Sequence, residues 1–509
     1  MLVNEVRPSF LEKVFYNISE YVKFYKVPIV SACFTTLITY MFVFTNKIIN
    51  WDDLQFLFGK GYTITSGRWA LELLEYVLPN YSMPWFWGII SSALLIFSIC
   101  IIIDIFKIDN KILQGILATI IIAFPSEIGT MFYMFTSTSY AIAFLLAVLA
   151  VRLYLKSGVV WKVLGVICAV FSMGIYQAYI TITISFFVLL LIKDLLSNEK
   201  DWSSVIKAGI KYVLYLLIIG CLYYGITAVV LDLTGNELNG WAIRATSDSS
   251  GLLHKLTRSW KLFAAMILLR EYGLETTMMS WGSHIAFLTL TGLASIFVVL
   301  KKKNVLNFLL YVVLVAVALP LSINFIVVLI GEDGVHGLTL YSFISVYIFA
   351  AIVVEIITAE KIKNIFKDSV CVLLCLIVVS NVYVANKSYL KQYMVYENTF
   401  SFYQSIVTQI QQTPGFDENS KLVVIGNAEQ DSSYLENFGE DKIYGLCGFR
   451  GESISDEFIT YYLGFDIPFA TTEEKATLVK EEYIENMPVY PYNGYVQKVD
   501  DYIVVKLGH

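Results

Sequence analysis

Apolar positions in this chain come in long runs separated by short polar breaks, the pattern of helices buried on all sides rather than of amphipathic surface helices. A bilayer core takes roughly 20 apolar helical residues. Eleven runs meet that need, at about 28 to 46, 84 to 104, 112 to 126, 136 to 155, 158 to 175, 178 to 193, 206 to 231, 284 to 300, 305 to 330, 338 to 358 and 369 to 386. Upstream of them the period changes. Phe10, Val14, Ile18, Tyr21 and Tyr25 repeat at helical spacing and lack the small-residue cleavage pattern of a signal peptide, which predicts an interfacial helix within residues 1–27. Downstream, YENTFSFYQSIVTQIQQ reads as helix, and KLVVIGN (421–427) and DDYIVVKLG (500–508) read as strands. The fold class is therefore mainly α: a polytopic membrane bundle of about eleven helices (28–387) followed by a small α/β domain (388–509).

The breaks carry the orientation, because short cytoplasmic loops are enriched in Lys and Arg. Breaks holding Lys23 and Lys26, Lys107 and Lys111, Arg152, Lys156 and Lys162, Lys193, Lys200 and Lys207, Lys301 to Lys303, and Lys361, Lys363 and Lys367 all fall on one side. This places the N-terminus in the cytoplasm and, with an odd number of spans, the C-terminal domain on the outer side of the cell membrane. That domain carries 19 Asp and Glu against 8 Lys and Arg and is large enough for its own core. Its aromatic stretches ITYYLGF and VYPYNGY suit either sugar stacking or core packing.

Composition removes the soluble alternatives: 57% of residues are hydrophobic and 15% charged, and the mean hydropathy is +0.66. There is no P-loop and no glycine-rich dinucleotide turn, so a nucleotide sugar is a poor donor candidate, and no nucleic-acid partner is expected. Six of the seven cysteines lie in predicted spans and only Cys447 falls outside, so no disulfide framework or metal pattern is available.

Candidate chemistry gathers in the outer segments. The first outer loop (47–83) opens KIINWDDLQFLFGKGYTITSGRW, with Asp52 and Asp53 directly after the first span and Arg68 after three glycines. Aspartates after a helix end also serve as caps or solvated loop residues. Glu127 follows the third span, and GEDGVHG after the ninth supplies Glu332, Asp333 and His336. The long connection 232–283 holds Arg244, His254, Lys255, Arg258, Lys261 and Arg270, against the positive-inside trend. His254, Arg258 and Lys261 share one helical face, which suits either a lipid-linked phosphate or anionic headgroups.

The acidic pair Asp52–Asp53, the Gly67–Arg68 step and FSMGIYQAYI at 171–180 resemble the serotype-converting bacterial glucosyltransferases, called glucosyl transferase family II, within the GT-C-like polytopic glycosyltransferases. The resemblance implies transfer of glucose or another hexose from a polyprenyl-phosphate donor to a cell-surface glycan, with inversion. One of Asp52 and Asp53 would be the general base, and Tyr176 and Gln177, matching the family's YQ step, would contact sugar or phosphate. A divalent cation such as Mg or Mn bridging Asp52 or Asp53 to the phosphate stays open, and a donor synthase and a flippase are the partners such an enzyme needs. The segment LTLYSF lacks an arginine that family members often carry near the tenth helix. A polysaccharide polymerase or ligase on a lipid carrier is the nearest alternative. A transporter fits less well, because its ionisable groups would lie at mid-membrane rather than outside.

Overall fold

The computed structural model describes residues 9–57, 61, 63–78, 81–197, 200–239, 250–270, 277–301, 303–359, 364–428, 435–438, 443 and 450–508. Among them, ten helices are long and apolar enough to cross a membrane, and Val159–Ile175 is a shorter apolar helix beside them. The chain is thus a polytopic helical membrane protein. All eleven apolar runs are occupied by helix, but the third and ninth are broken.

Proline causes both breaks. Pro125 separates the helix Lys111–Ile122 from the short helix Pro125–Thr130, and it has no N–H to give to Ile121 O, four residues back. In a lipid environment an unpaired carbonyl has no water to turn to. Other spans supply the donors: the Tyr341 hydroxyl donates to Ile121 O at 3.0 Å, Tyr40 to Ile122 O at 2.6 Å and Tyr389 to Ile128 O at 2.9 Å. At the ninth run, Pro320 follows a π-helical stretch at Leu314–Ala318 and deprives Ala316 O of its partner. The Trp260 indole N–H donates there at 2.8 Å, and the Ser259 hydroxyl donates to Asn324 O at 2.9 Å where the chain turns before Ile326–Ile330. Each break therefore becomes a fixed turn.

The N-terminal helix Phe10–Phe24 starts with a reciprocal Ser9–Glu12 capping box and leaves Leu11, Phe15, Ile18 and Val22 exposed. At the other end the last span continues without interruption through residue 388 as one helix, Asn364–Gln412, and leads into a three-stranded sheet. Its order is β1 (Lys421–Ile425), β3 (Tyr502–Lys506), β2 (Val496–Val499), with β1 parallel and β2 antiparallel to β3. The sequence reading finds β1 and β3 but passes over β2, which is only four residues long.

Removing one tyrosine donor should leave a carbonyl unpaired at a break. Tyr40→Phe is expected to destabilise the bundle by about 1 kcal/mol, read by thermal unfolding in detergent, while Tyr383→Phe, whose ring is exposed, should leave the melting curve unmoved.

Candidate functional site

The two aspartates part company on a single short helix. Trp51–Gln55 is capped by Asn50, whose Oδ1 accepts from Asp53 N at 2.8 Å. Successive helical side chains diverge by about 100°, so Asp53 turns inward and Asp52 does not. Asp53 is fully buried; its Oδ2 accepts from Lys47 Nζ at 3.0 Å and Ser82 Oγ at 2.7 Å, and its Oδ1 from Phe135 N at 3.3 Å. It joins the start of the first loop, the end of that loop and the head of the helix Met134–Tyr154. Asp52 instead lines a cavity of about 770 Å³ where the loops meet the bundle. Burial pushes its carboxyl up, with Asp53 adding to that effect and Arg68 opposing it.

Arg68 stands in the same cavity behind a tight turn. Its guanidinium donates to Tyr140 Oη at 3.3 Å and lies 4.7 Å above the Tyr176 ring, while Tyr140 and Tyr176 stack 4.6 Å apart. Its Nε is buried with no hydrogen-bond partner. Gln177 holds the turn in place: its Nε2 donates to Ser66 O at 2.7 Å and to Tyr223 Oη at 2.9 Å, and Tyr223 donates to Gly67 O at 3.0 Å. Gly67 has φ 72°, and a Cβ there would sit 2.9 Å from Tyr223 Oη and 3.1 Å from Gln177 Nε2, so only glycine fits.

The opposite wall comes from the helix Leu252–Leu268 and the turn Glu332–Gly334. His254, Lys255 and Arg258 line the cavity; Arg258 Nε donates to His254 Nε2 at 3.3 Å and its terminal nitrogen pairs with Glu332. His336 also lines it, and burial, reinforced by the charge of Arg68, pushes its imidazole down to about 4, so it is neutral at physiological pH. Ile326, Val327, Leu329 and Ile330 give the cavity an apolar side.

Of the residues singled out in the sequence, the cavity brings together Asp52, Arg68, Tyr176, Gln177, His254, Lys255, Arg258, Glu332 and His336. Lys261 is exposed on the same helix but does not reach the cavity. Asp53 backs Asp52 from behind. Glu127 is buried away from the cavity, within electrostatic reach of Tyr40, Tyr179, Tyr341 and Tyr389. Arg244 and the Asp333 side chain lie outside the described residues. Tyr140 and Tyr223 escape the sequence reading, since two tyrosines among 34 carry no local signature. Lys255 is legible only as one base in a basic connection.

A metal would need a ligand set that the described residues of the site do not supply. Among the described residues no group of three or more His, Cys, Asp and Glu could hold an ion. Asp52 and Glu332 are the two carboxylates on the described cavity wall, and Glu332 is already paired with Arg258.

A bundle of membrane-spanning helices whose cavity gathers Asp52 with Arg68, Lys255 and Arg258 is the arrangement of a membrane enzyme site rather than of a scaffold. The model of the family described as glucosyl transferase GtrII matches residues 41–354, and the chain belongs to that family. The match spans every cavity residue named above and stops before the C-terminal domain. No curated protein and no solved structure matches the chain.

The division of labour between the aspartates has a thermal signature. Asp53→Ala leaves Lys47 without its buried partner and should cost roughly 3 kcal/mol, whereas Asp52→Ala should shift the melting temperature little; equal shifts would contradict the geometry.

Proposed function

We propose that this glucosyltransferase moves glucose, or another hexose, from a polyprenyl-phosphate donor to a cell-surface polysaccharide on the outer face of the membrane, inverting the anomeric carbon. The observation that carries the reading is Asp52, a half-buried carboxylate free of the ties that hold Asp53, opening into the same cavity as Arg68, His254, Lys255 and Arg258. A sugar hydroxyl is a poor nucleophile until its proton is removed. Asp52 accepts that proton as the hydroxyl oxygen bonds to the anomeric carbon. The bond from that carbon to the phosphate oxygen breaks, and the lipid phosphate leaves with the electron pair.

The departing phosphate gains negative charge, and preorganised cations in a partly dry site stabilise that gain strongly. Arg68 is the best placed, because stacking on Tyr176 and bonding to Tyr140 fix its plane while its Nε stays available. Arg258, now held by Glu332, and Lys255 supply further charge from the opposite wall. The apolar side at Ile326–Ile330 suits the first isoprene units of the lipid. An outer-face site fits a positive-inside topology with the N-terminus in the cytoplasm, and it requires a synthase to make the donor and a flippase to deliver it.

Two measurements test this. In transfer from synthetic polyprenyl-phosphate glucose to host cell-wall glycan, Asp52→Asn, folded and still binding donor, should lose ~10²-fold or more of the rate. Full activity in that variant, or glycan movement across vesicles without transfer, would defeat the proposal; a product carrying long chains of added units rather than single residues would point to the polymerase.

The pH profile gives the second. A base works only when ionised, so the rate falls as pH drops through the carboxyl's pKa, and burial places that limb above the ordinary aspartate range. Arg68 opposes the shift, so Arg68→Met should move the acid limb to still higher pH as well as lowering the maximum rate.

A further inference from the structure

The residues flanking the acidic pair do not all pack into the membrane bundle. Ile48 joins the bundle core, but Ile49 and Leu54, both fully buried, belong to the core of the C-terminal domain with Phe402, Tyr403, Phe458 and Ile503. Gln392 Nε2, on the long last helix, donates to Ile49 O at 3.1 Å and fixes the chain just before the turn. Tyr462, from the same domain, lies within electrostatic reach of Asp53.

A helix of five residues has no stability of its own. Its direction is set by what holds it, here the Asn50 cap, the partners of Asp53 and the burial of Leu54. Leu54 follows Asp52 by two positions, about 200° around the helix. Burying Leu54 in the C-terminal domain therefore turns Asp52 away from that domain and toward the cavity.

We propose that the C-terminal domain is a positioning element for the transfer reaction, acting through Leu54 and Ile49 to aim the Asp52 carboxylate, rather than a cover over the site. The inference rests on the reading of Asp52 as the base. It gives the part of the chain beyond the family match a share in the chemistry without contact with either substrate. The direction of the force is clear: loosening the anchor lets the helix rotate and hydrates Asp52, and a misplacement near 1 Å at a reacting group costs ~10²-fold in rate.

The test compares two deletions of a buried aliphatic side chain in the full-length protein. Leu54→Ala strikes the anchor. Ile484→Ala strikes the other face of the same domain, where Ile484 packs with Val423, Ile425, Leu478, Met487 and Val504 in a cluster that, among the described residues, includes none from the first loop. Turnover at saturating donor, donor-lipid binding, melting temperature and the pH profile are measured for each, with Leu54→Met as the conservative rescue.

Leu54→Ala is expected to lower kcat by ~10-fold or more with donor binding unchanged, and to move the acid limb to lower pH as Asp52 gains water. Leu54→Met should restore most of the rate, and Ile484→Ala should melt earlier yet turn over within about twofold of the parent, its core lying off the aiming path. Equal losses in kcat for the two alanine variants, or a Leu54→Ala loss matched by lost donor binding, would overturn the proposal. Should Leu54→Ala not fold, Leu54→Val carries the same comparison. If Asp52→Asn keeps full activity, the base assignment itself fails, an outcome separate from the Leu54 result.

Discussion

Backbone groups inside a membrane have no water to fall back on, and the site of this protein is built on that constraint. Straight spans satisfy it automatically. Two spans do not run straight: Pro125 and Pro320 strip donors from Ile121 and Ala316, and Tyr341 and Trp260 from other parts of the bundle return them. A polar cavity between helices needs irregular backbone, and irregular backbone at this depth persists only where every carbonyl is met. The side chains that meet them make the turns rigid, and rigid turns are what a fixed constellation of charges requires.

The electrostatics follow from the same economy. Two neighbouring carboxylates would repel if both faced one cavity. The helix separates them, giving Asp53 a lysine, a hydroxyl and an amide, and leaving Asp52 in the cavity under the charges of Arg68 and Asp53. One aspartate is tied down by three hydrogen bonds, and the other is left open to the cavity. On the cation side, Arg258 rests against Glu332 in a half-exposed pair of the kind that exchanges partners easily.

Much of this was legible beforehand, and for reasons that can be named. Apolar runs of span length report helices because the bilayer imposes one length on all of them, and the acidic pair, Arg68 and the Tyr176–Gln177 step lie in connections whose ends are fixed by those spans. What stayed hidden was direction and distance. Nothing local tells Asp52 from Asp53, since the difference lies in Lys47, Ser82 and the Phe135 amide. Lys261 shares a face with Arg258 on a helical wheel, yet the cavity takes Lys255 instead, because which neighbouring stripe a helix turns inward is decided by its packing on Ile326–Ile330 and the Pro320 turn. Tyr140 and Tyr223 act through partners 72 and 156 residues away. The strand β2 was missed because four residues carry too little period to read.

The helix Asn364–Gln412 joins the two cores without a linker. At 1.5 Å and 100° per residue, its length fixes both the height and the rotational phase of the C-terminal domain relative to the bundle. Adding or deleting one residue along it would swing the domain through more than a quarter of a turn, so a relative with a longer or shorter stalk can keep the same arrangement only in steps of about seven residues, two full turns. The spacing between the bundle and the C-terminal domain is thus quantised by helical geometry, and a change in it comes in jumps of about 10 Å.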